Sequence, residues 1–161
     1  MSKVFLICGK ICSGKSYYTK MLKEKTNAVI LSCDEITFDL SLNDIGEKHD
    51  DLMDKLKKHF YKKSEEIIKA GADVILDFGF WSKKERQNVS KYYFDRNIIF
   101  EWHYIDISDE DWERNINERN GLVSKNLSQS YFVDEQLLMK VNSIFEKPSE
   151  QEIDVWYTNK R

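Results

Sequence analysis

Residues 9 to 16 read Gly9-Lys10-Ile11-Cys12-Ser13-Gly14-Lys15-Ser16 and follow directly on the apolar run Val4-Phe5-Leu6-Ile7-Cys8. No other stretch restricts the chain as tightly. The pattern G-x-x-x-x-G-K-[ST], with a strand before it and a helix after it, is a loop built to wrap phosphate. Gly9 permits a tight turn off the strand, and Gly14 lets the backbone curl so that successive N–H groups face inward. Lys15 supplies a point charge for the β- and γ-phosphates, and Ser16 supplies a hydroxyl for Mg²⁺. The helix that starts there adds its positive dipole end. The candidate nucleotide-binding residues are therefore Gly9, Lys10, Ile11, Cys12, Ser13, Gly14, Lys15, Ser16 and the adjoining Tyr17.

A continuous apolar run such as 4–8, without polar alternation, suits a strand covered on both faces of a parallel sheet. Similar runs follow at 28–31, at 74–76 and, with polar interruptions, at 98–105, and a weaker one spans 153–157. Helix-like sequence separates them. Leu52, Leu56, Phe60, Ile67 and Ile68 form a helical stripe that Gly71 stops. Ser82 with Glu85, and Ser108 with Asp111, fit capping boxes that start helices near Lys83 and Asp109. Val133, Leu137, Leu138, Val141, Ile144 and Phe145 form a last stripe ahead of Pro148, the one proline. Alternating strands and helices with short connections predict a doubly wound α/β domain with a largely parallel sheet.

At 161 residues the chain suits a single domain, 1–161. A net charge of -3 gives no basic footprint, which weighs against a polynucleotide partner. The run 4–8 is too short for a secretory or membrane segment, so a cytoplasmic protein without membrane contact is expected. Cys8, Cys12 and Cys33 lack zinc spacing and read as free thiols. Four tryptophans together with Tyr17, Tyr18, Tyr92 and Tyr93 lack a basic groove, and are expected as core or pocket walls.

Ligands of such sheets bind beyond the carboxyl ends of the strands. Gly9, Asp34 and Asp77 are all expected there. Asp34 could take the proton of a hydroxyl attacking a γ-phosphate, or could simply cap the following helix. Glu35, facing another direction, is the weaker base. Asp77 ends Val74-Ile75-Leu76-Asp77 as a Walker B carboxylate would, a position for Mg²⁺; a solvated acid at a strand end would look the same. Arg119 can swing over the phosphates from the helix after the fourth strand, with Asn120-Gly121 opening a polar stretch to Ser130 where a lid could hang. Arg114 is as well explained by ion pairing with Glu113 or Glu118.

Through GKICSGKS, the Asp of "LSCDEI", "VILDFGFWSKKERQNV", "YIDISDEDWERNINERN" and "FEKPSEQEIDVWY", the chain resembles the small P-loop kinases grouped with chloramphenicol phosphotransferase, zeta-toxin kinases and phage polynucleotide 5′-kinase. The resemblance runs over nearly the whole length. It implies a three-layer P-loop NTPase fold with a five-stranded, mostly parallel sheet, helices on both faces and a lid. ATP with Mg²⁺ and phosphoryl transfer to an acceptor hydroxyl are implied too. In its terms Lys15 and Ser16 match the phosphate and metal residues, Asp34 the general base, Asp77 the acid of the third strand and Arg119 the lid arginine. Two positions depart from the pattern: Thr37 stands where polynucleotide kinases carry an arginine, and Asn115 stands four residues before Arg119 where a partner arginine is expected.

A kinase of a small hydroxylated molecule leads the readings. Kinases of nucleosides, nucleotides or polynucleotide 5′-ends, and a nucleotide-binding switch with slow hydrolysis, are the alternatives. Neither the acceptor nor the oligomeric state is legible.

Overall fold

The computed structural model describes residues 1–42, 46–128 and 131–160. Five strands, β1 (Val4–Cys8), β2 (Ala28–Leu31), β3 (Asp73–Gly79), β4 (Phe100–Ile107) and β5 (Val155–Asn159), form one sheet in the order β2-β3-β1-β4-β5. Every pairing is parallel. Six α-helices connect them: α1 (Lys15–Lys25), α2 (Cys33–Asp39), α3 (His49–Lys69), α4 (Lys83–Phe94), α5 (Asp109–Ser124) and α6 (Glu135–Ile144).

β1 is central and buried at all five positions, because it is covered on both faces. Alternation sends Val4, Leu6 and Cys8 to one side, where Tyr61, Ile67 and Ile68 of α3 and Val89 and Tyr93 of α4 pack. Phe5 and Ile7 point to the other side, against Tyr18, Met21 and Leu22 of α1. Apolar burial on both faces is the main favourable term in assembling these layers.

The starts of α4 and α5 fall where the serines place them: Ser82 Oγ accepts from Glu85 N at 3.1 Å, and Ser108 Oγ from Asp111 N at 3.2 Å. Three strands extend beyond the sequence expectation or shift from it. β3 runs on to Gly79 because Asp77 and Phe78 stay in the sheet through a bulge: Leu6 faces Leu76, but Cys8 faces Gly79, so β3 carries one extra residue opposite Ile7. β4 begins only at Phe100, since Asn97 takes φ 55° in the preceding turn. β5 starts at Val155 because Glu150–Glu152 form a 3-10 turn whose capping box joins Ser149 and Glu152.

One buried bracket had no sequence signature. Arg86 of α4 is 2% exposed, donates to the carbonyls of Phe80 (3.0 Å) and Trp81 (3.2 Å), and pairs through Nε with Glu152 at 3.2 Å. It fixes the loop that leaves β3, where Phe80 takes φ 48°. No described helix is long and apolar enough to cross a membrane.

Candidate functional site

The loop 9–14 leaves the C-terminal end of β1 and enters α1, placing an amide-rich turn at the switch point beside the central strand. Gly14 caps α1 with φ 96°, and a Cβ there would lie 2.4 Å from Asn159 Nδ2. Gly9 is required for a different reason than the tight turn expected of it. Its backbone avoids the left-handed region, but a Cβ would stand 2.9 Å from Ser13 Oγ and 3.1 Å from the Ile105 carbonyl, so space and not φ excludes other residues. Cys12 adopts φ 58°.

Side-chain donors hold the loop at four consecutive carbonyls. Lys15 Nζ donates to Lys10 O (2.7 Å), Trp112 Nε1 to Ile11 O (2.7 Å), Asn115 Nδ2 to Cys12 O (2.9 Å) and Asn159 Nδ2 to Ser13 O (3.0 Å). A loop whose carbonyls are engaged by protein donors turns its N–H edge, not its oxygens, to a ligand, and so favours an anion. Asn115, at the position where a partner arginine was expected, serves this bracing. Lys10 is directed at α5: its ammonium lies 3.8 Å from the Trp112 ring centre and 3.7 Å from Asp109. Tyr17 is exposed.

Lys15 sits at the centre of the site's electrostatics. Burial lowers its pKa, and Asp77 and Asp34 oppose that fall while Arg119 adds to it. Asp77 shows the mirror image: burial raises its pKa, Lys15 pulls it back and Asp34 pushes it further up. Asp34, Asp77 and Arg119 therefore all act on Lys15, and Lys15 and Asp34 act on Asp77. Asp77 does not follow the strand as expected but lies inside β3 at the bulge, and its Oδ1 is buried without a hydrogen-bond partner among the described residues. Ser13 Oγ is buried and unpartnered in the same way.

Asp34 does not cap a helix. Ser32 caps α2, its Oγ accepting from Glu35 N, which leaves Asp34 exposed in the first turn. Asp34, and not Glu35, enters the surroundings of Lys15, Asp77 and Tyr131. Thr37 is buried, with its hydroxyl bonded to the Asp34 carbonyl at 3.0 Å.

Arg119 lies over the Tyr131 ring, 5.8 Å from its centre, and acts on both Lys15 and Cys12. The segment expected to open at Asn120 begins later. Asn120 and Gly121 are helical, and the Asn120 amide holds Val133 by two bonds of 2.8 and 2.7 Å, a cross-link that outweighs the roughly 1 kcal/mol cost of the helical glycine. Gln129 and Ser130, at the end of that stretch, lie outside the described residues. Arg114 pairs with Glu110 and Asp111 of the preceding turn.

All three cysteines are free and buried. Burial pushes the Cys8 and Cys33 thiols to about 12 and raises Cys12 against the pull of Arg119 and Lys15, so none of them is a ready thiolate. Trp102 is core, Trp81 and Trp112 pack beside Ile11 and Cys12, and Trp156 lies edge-on to Tyr104.

A phosphate loop after the central strand of a parallel five-stranded sheet, with a buried strand acid beside its lysine, defines a P-loop nucleotide-binding protein of the kinase-like α/β architecture. The family described as "AAA domain" matches residues 4–148, and the chain belongs to it. Among solved structures, the Mycobacterium tuberculosis APS kinase CysC, in complex with AMPPNP and APS, is 20% identical with a TM-score of 0.64, covering 99% of this chain and 90% of that one. A sugar kinase from Janibacter sp. HTCC2649 is 12% identical with a TM-score of 0.67, covering 98% and 86%. A chain of the Pnkp1/Rnl/Hen1 complex is 18% identical with a TM-score of 0.59, covering 70% of this chain and 38% of that one. No curated protein matches the sequence.

Proposed function

We propose that this protein is an ATP-dependent kinase that moves the γ-phosphate to a hydroxyl of a small molecule. The observation that carries the reading is the meeting of Lys15, Asp77, Asp34 and Arg119 at the phosphate loop. A switch needs a loop and a metal site, but it has no use for an exposed carboxylate acting on the loop lysine. Kinase names among the structures of like fold support the same reading.

Loop amides and the α1 N-terminus hold the phosphates, and the Lys15 ammonium, confined by Lys10 O and Asp77, faces their terminal charge. Ser16 and Asp77 are the groups that would hold Mg²⁺. The exposed hydroxyl and the unpartnered buried Asp77 oxygen fit an ion that takes few protein ligands, and its charge would offset that of the β- and γ-phosphates. Asp34 orients the acceptor and takes its proton as the acceptor oxygen bonds to the γ-phosphorus. The bond to the β–γ bridging oxygen breaks and ADP leaves. Arg119 balances charge on the group in transit.

Incubation with γ-labelled ATP and a panel of sugars, aminoglycosides, nucleosides and 5′-hydroxyl oligonucleotides tests the reading. Label should appear on a small acceptor. Preferred labelling of the oligonucleotide would replace the small-molecule reading with the polynucleotide one.

A further inference from the structure

A cavity of about 460 Å³ opens between α3 and α4, a volume in the range of small-molecule sites. Its charged lining is Asp54, Lys57 and Lys58 from α3 and Lys84 and Glu85 from α4. Lys57 and Glu85 neutralise each other in an ion pair of 2.5 Å. That leaves Lys58 and Lys84 against Asp54, a local positive surplus on a chain whose net charge is -3. Neither lysine has an ion-pair partner among the described residues.

The cavity adjoins the catalytic edge through its neighbours. Lys57 and Glu85 act on the Cys33 thiol, the residue before Asp34, and Cys33 in turn acts on the cavity's Tyr61. Tyr61 also meets the ring of Phe78, the residue after Asp77, at 5.9 Å. The aromatic pair Tyr61 and Phe78 thus stands between Asp77 and the cavity that carries the two lysines. A neutral alcohol would use the carboxylate end alone. A molecule with an oxyanion at its far end would be repelled by Asp34 and Asp77 when reversed, and attracted by Lys58 and Lys84 when its hydroxyl points inward. α2 offers no rival grip, because Thr37 is buried with its hydroxyl turned to the Asp34 carbonyl.

We propose that the acceptor is a small alcohol bearing a phosphate monoester, with the phosphate seated on Lys58 and Lys84 between α3 and α4 and the hydroxyl directed to Asp34. This rests on the kinase reading of the same site. The reaction adds a second phosphate to a molecule that already carries one.

Two measurements on the full chain test it. With the phosphate loop saturated by AMPPNP and Mg²⁺, inorganic phosphate is titrated and followed by amide NMR. Shifts should concentrate at residues 54–61 and 82–89 and be lost in Lys58→Gln/Lys84→Gln; shifts confined to 9–16, or unchanged in the double variant, would overturn the site. In the second, transfer from γ-labelled ATP is compared for matched pairs, a nucleoside against its monophosphate and a hexose against its hexose phosphate. The phosphorylated member should be preferred about tenfold or more in kcat/KM, with the double variant raising its KM about tenfold. Preference for the neutral members overturns the proposal and leaves the kinase reading standing. Phosphate bound in the cavity with label transferred to no acceptor breaks the kinase reading, and the acceptor assignment with it.

Discussion

The phosphate loop is tied at four consecutive carbonyls by donors from α1, α5 and β5, whereas Asp34, across the same sheet edge, stands exposed on the seven-residue α2. The nucleotide half of the site is preorganised, so little has to move when phosphate arrives. The half proposed to take the acceptor is carried by short, exposed structure. A fold built this way can keep one phosphate donor while its acceptor pocket changes, because the ties that shape the loop do not pass through α2 or α3.

Lys15→Ala should break the preorganised half outright. Activity dependent on nucleotide falls to background while circular dichroism stays normal, since the ammonium bonds only a loop carbonyl and serves no packing. Unchanged affinity for a fluorescent ATP analogue together with unchanged turnover would remove the loop assignment. Arg119→Ala comes next, with turnover lower by about 10²–10³ and ATP affinity much less affected, because a cation aimed at developing charge acts mainly in the transition state. A large loss of binding with normal turnover at saturation would place the arginine in the ground state.

Smaller effects sharpen the comparison. Asn115→Ala frees the Cys12 carbonyl and should raise the KM for ATP about tenfold while sparing the KM for the acceptor, a split measured by varying each substrate separately. Equal changes in both would mean that the bracing serves the whole site. Least affected should be stability against pH, which reads the far face of the sheet. Burial lowers the His103 pKa against the opposing pull of Glu101, and Tyr18 Oη lies 2.7 Å from its ring nitrogen. The folded value lies below the unfolded value of ~6.5, so the stabilisation is complete above that pH and is lost as pH falls through the lower folded value. Melting temperature should drop between pH 7.5 and 5.5, and His103→Gln should flatten the drop. An unchanged slope in that variant would assign the pH dependence elsewhere.

The loop was legible because its motif is local: Gly9 to Ser16 lie within eight residues, with β1 on one side and α1 on the other. The starts of α4 and α5 were legible from Ser82 and Ser108 for the same reason. What escaped depends on residues distant in sequence. The bulge that keeps Asp77 inside β3 is defined by pairing with β1, and the Arg86 bracket joins residues 80, 81 and 152. The clamp on Ile11, Cys12 and Ser13 comes from positions 112, 115 and 159. Asn120 and Gly121 read as a break in sequence, yet they continue α5, where the Asn120 amide makes two bonds to Val133.

The central claim is that nucleotide binding and phosphoryl transfer reside in separate halves of one site, with Asp34 on the transfer side. Asp34→Asn keeps the shape and removes the base. The most direct measurement compares this variant with the unaltered chain in two assays, equilibrium binding of AMPPNP and label transfer from γ-labelled ATP to the preferred acceptor. Affinity should stay within about twofold while transfer falls by ~10²–10⁴. Full transfer in the variant, or a loss of AMPPNP binding as large as the loss of transfer, would contradict the account.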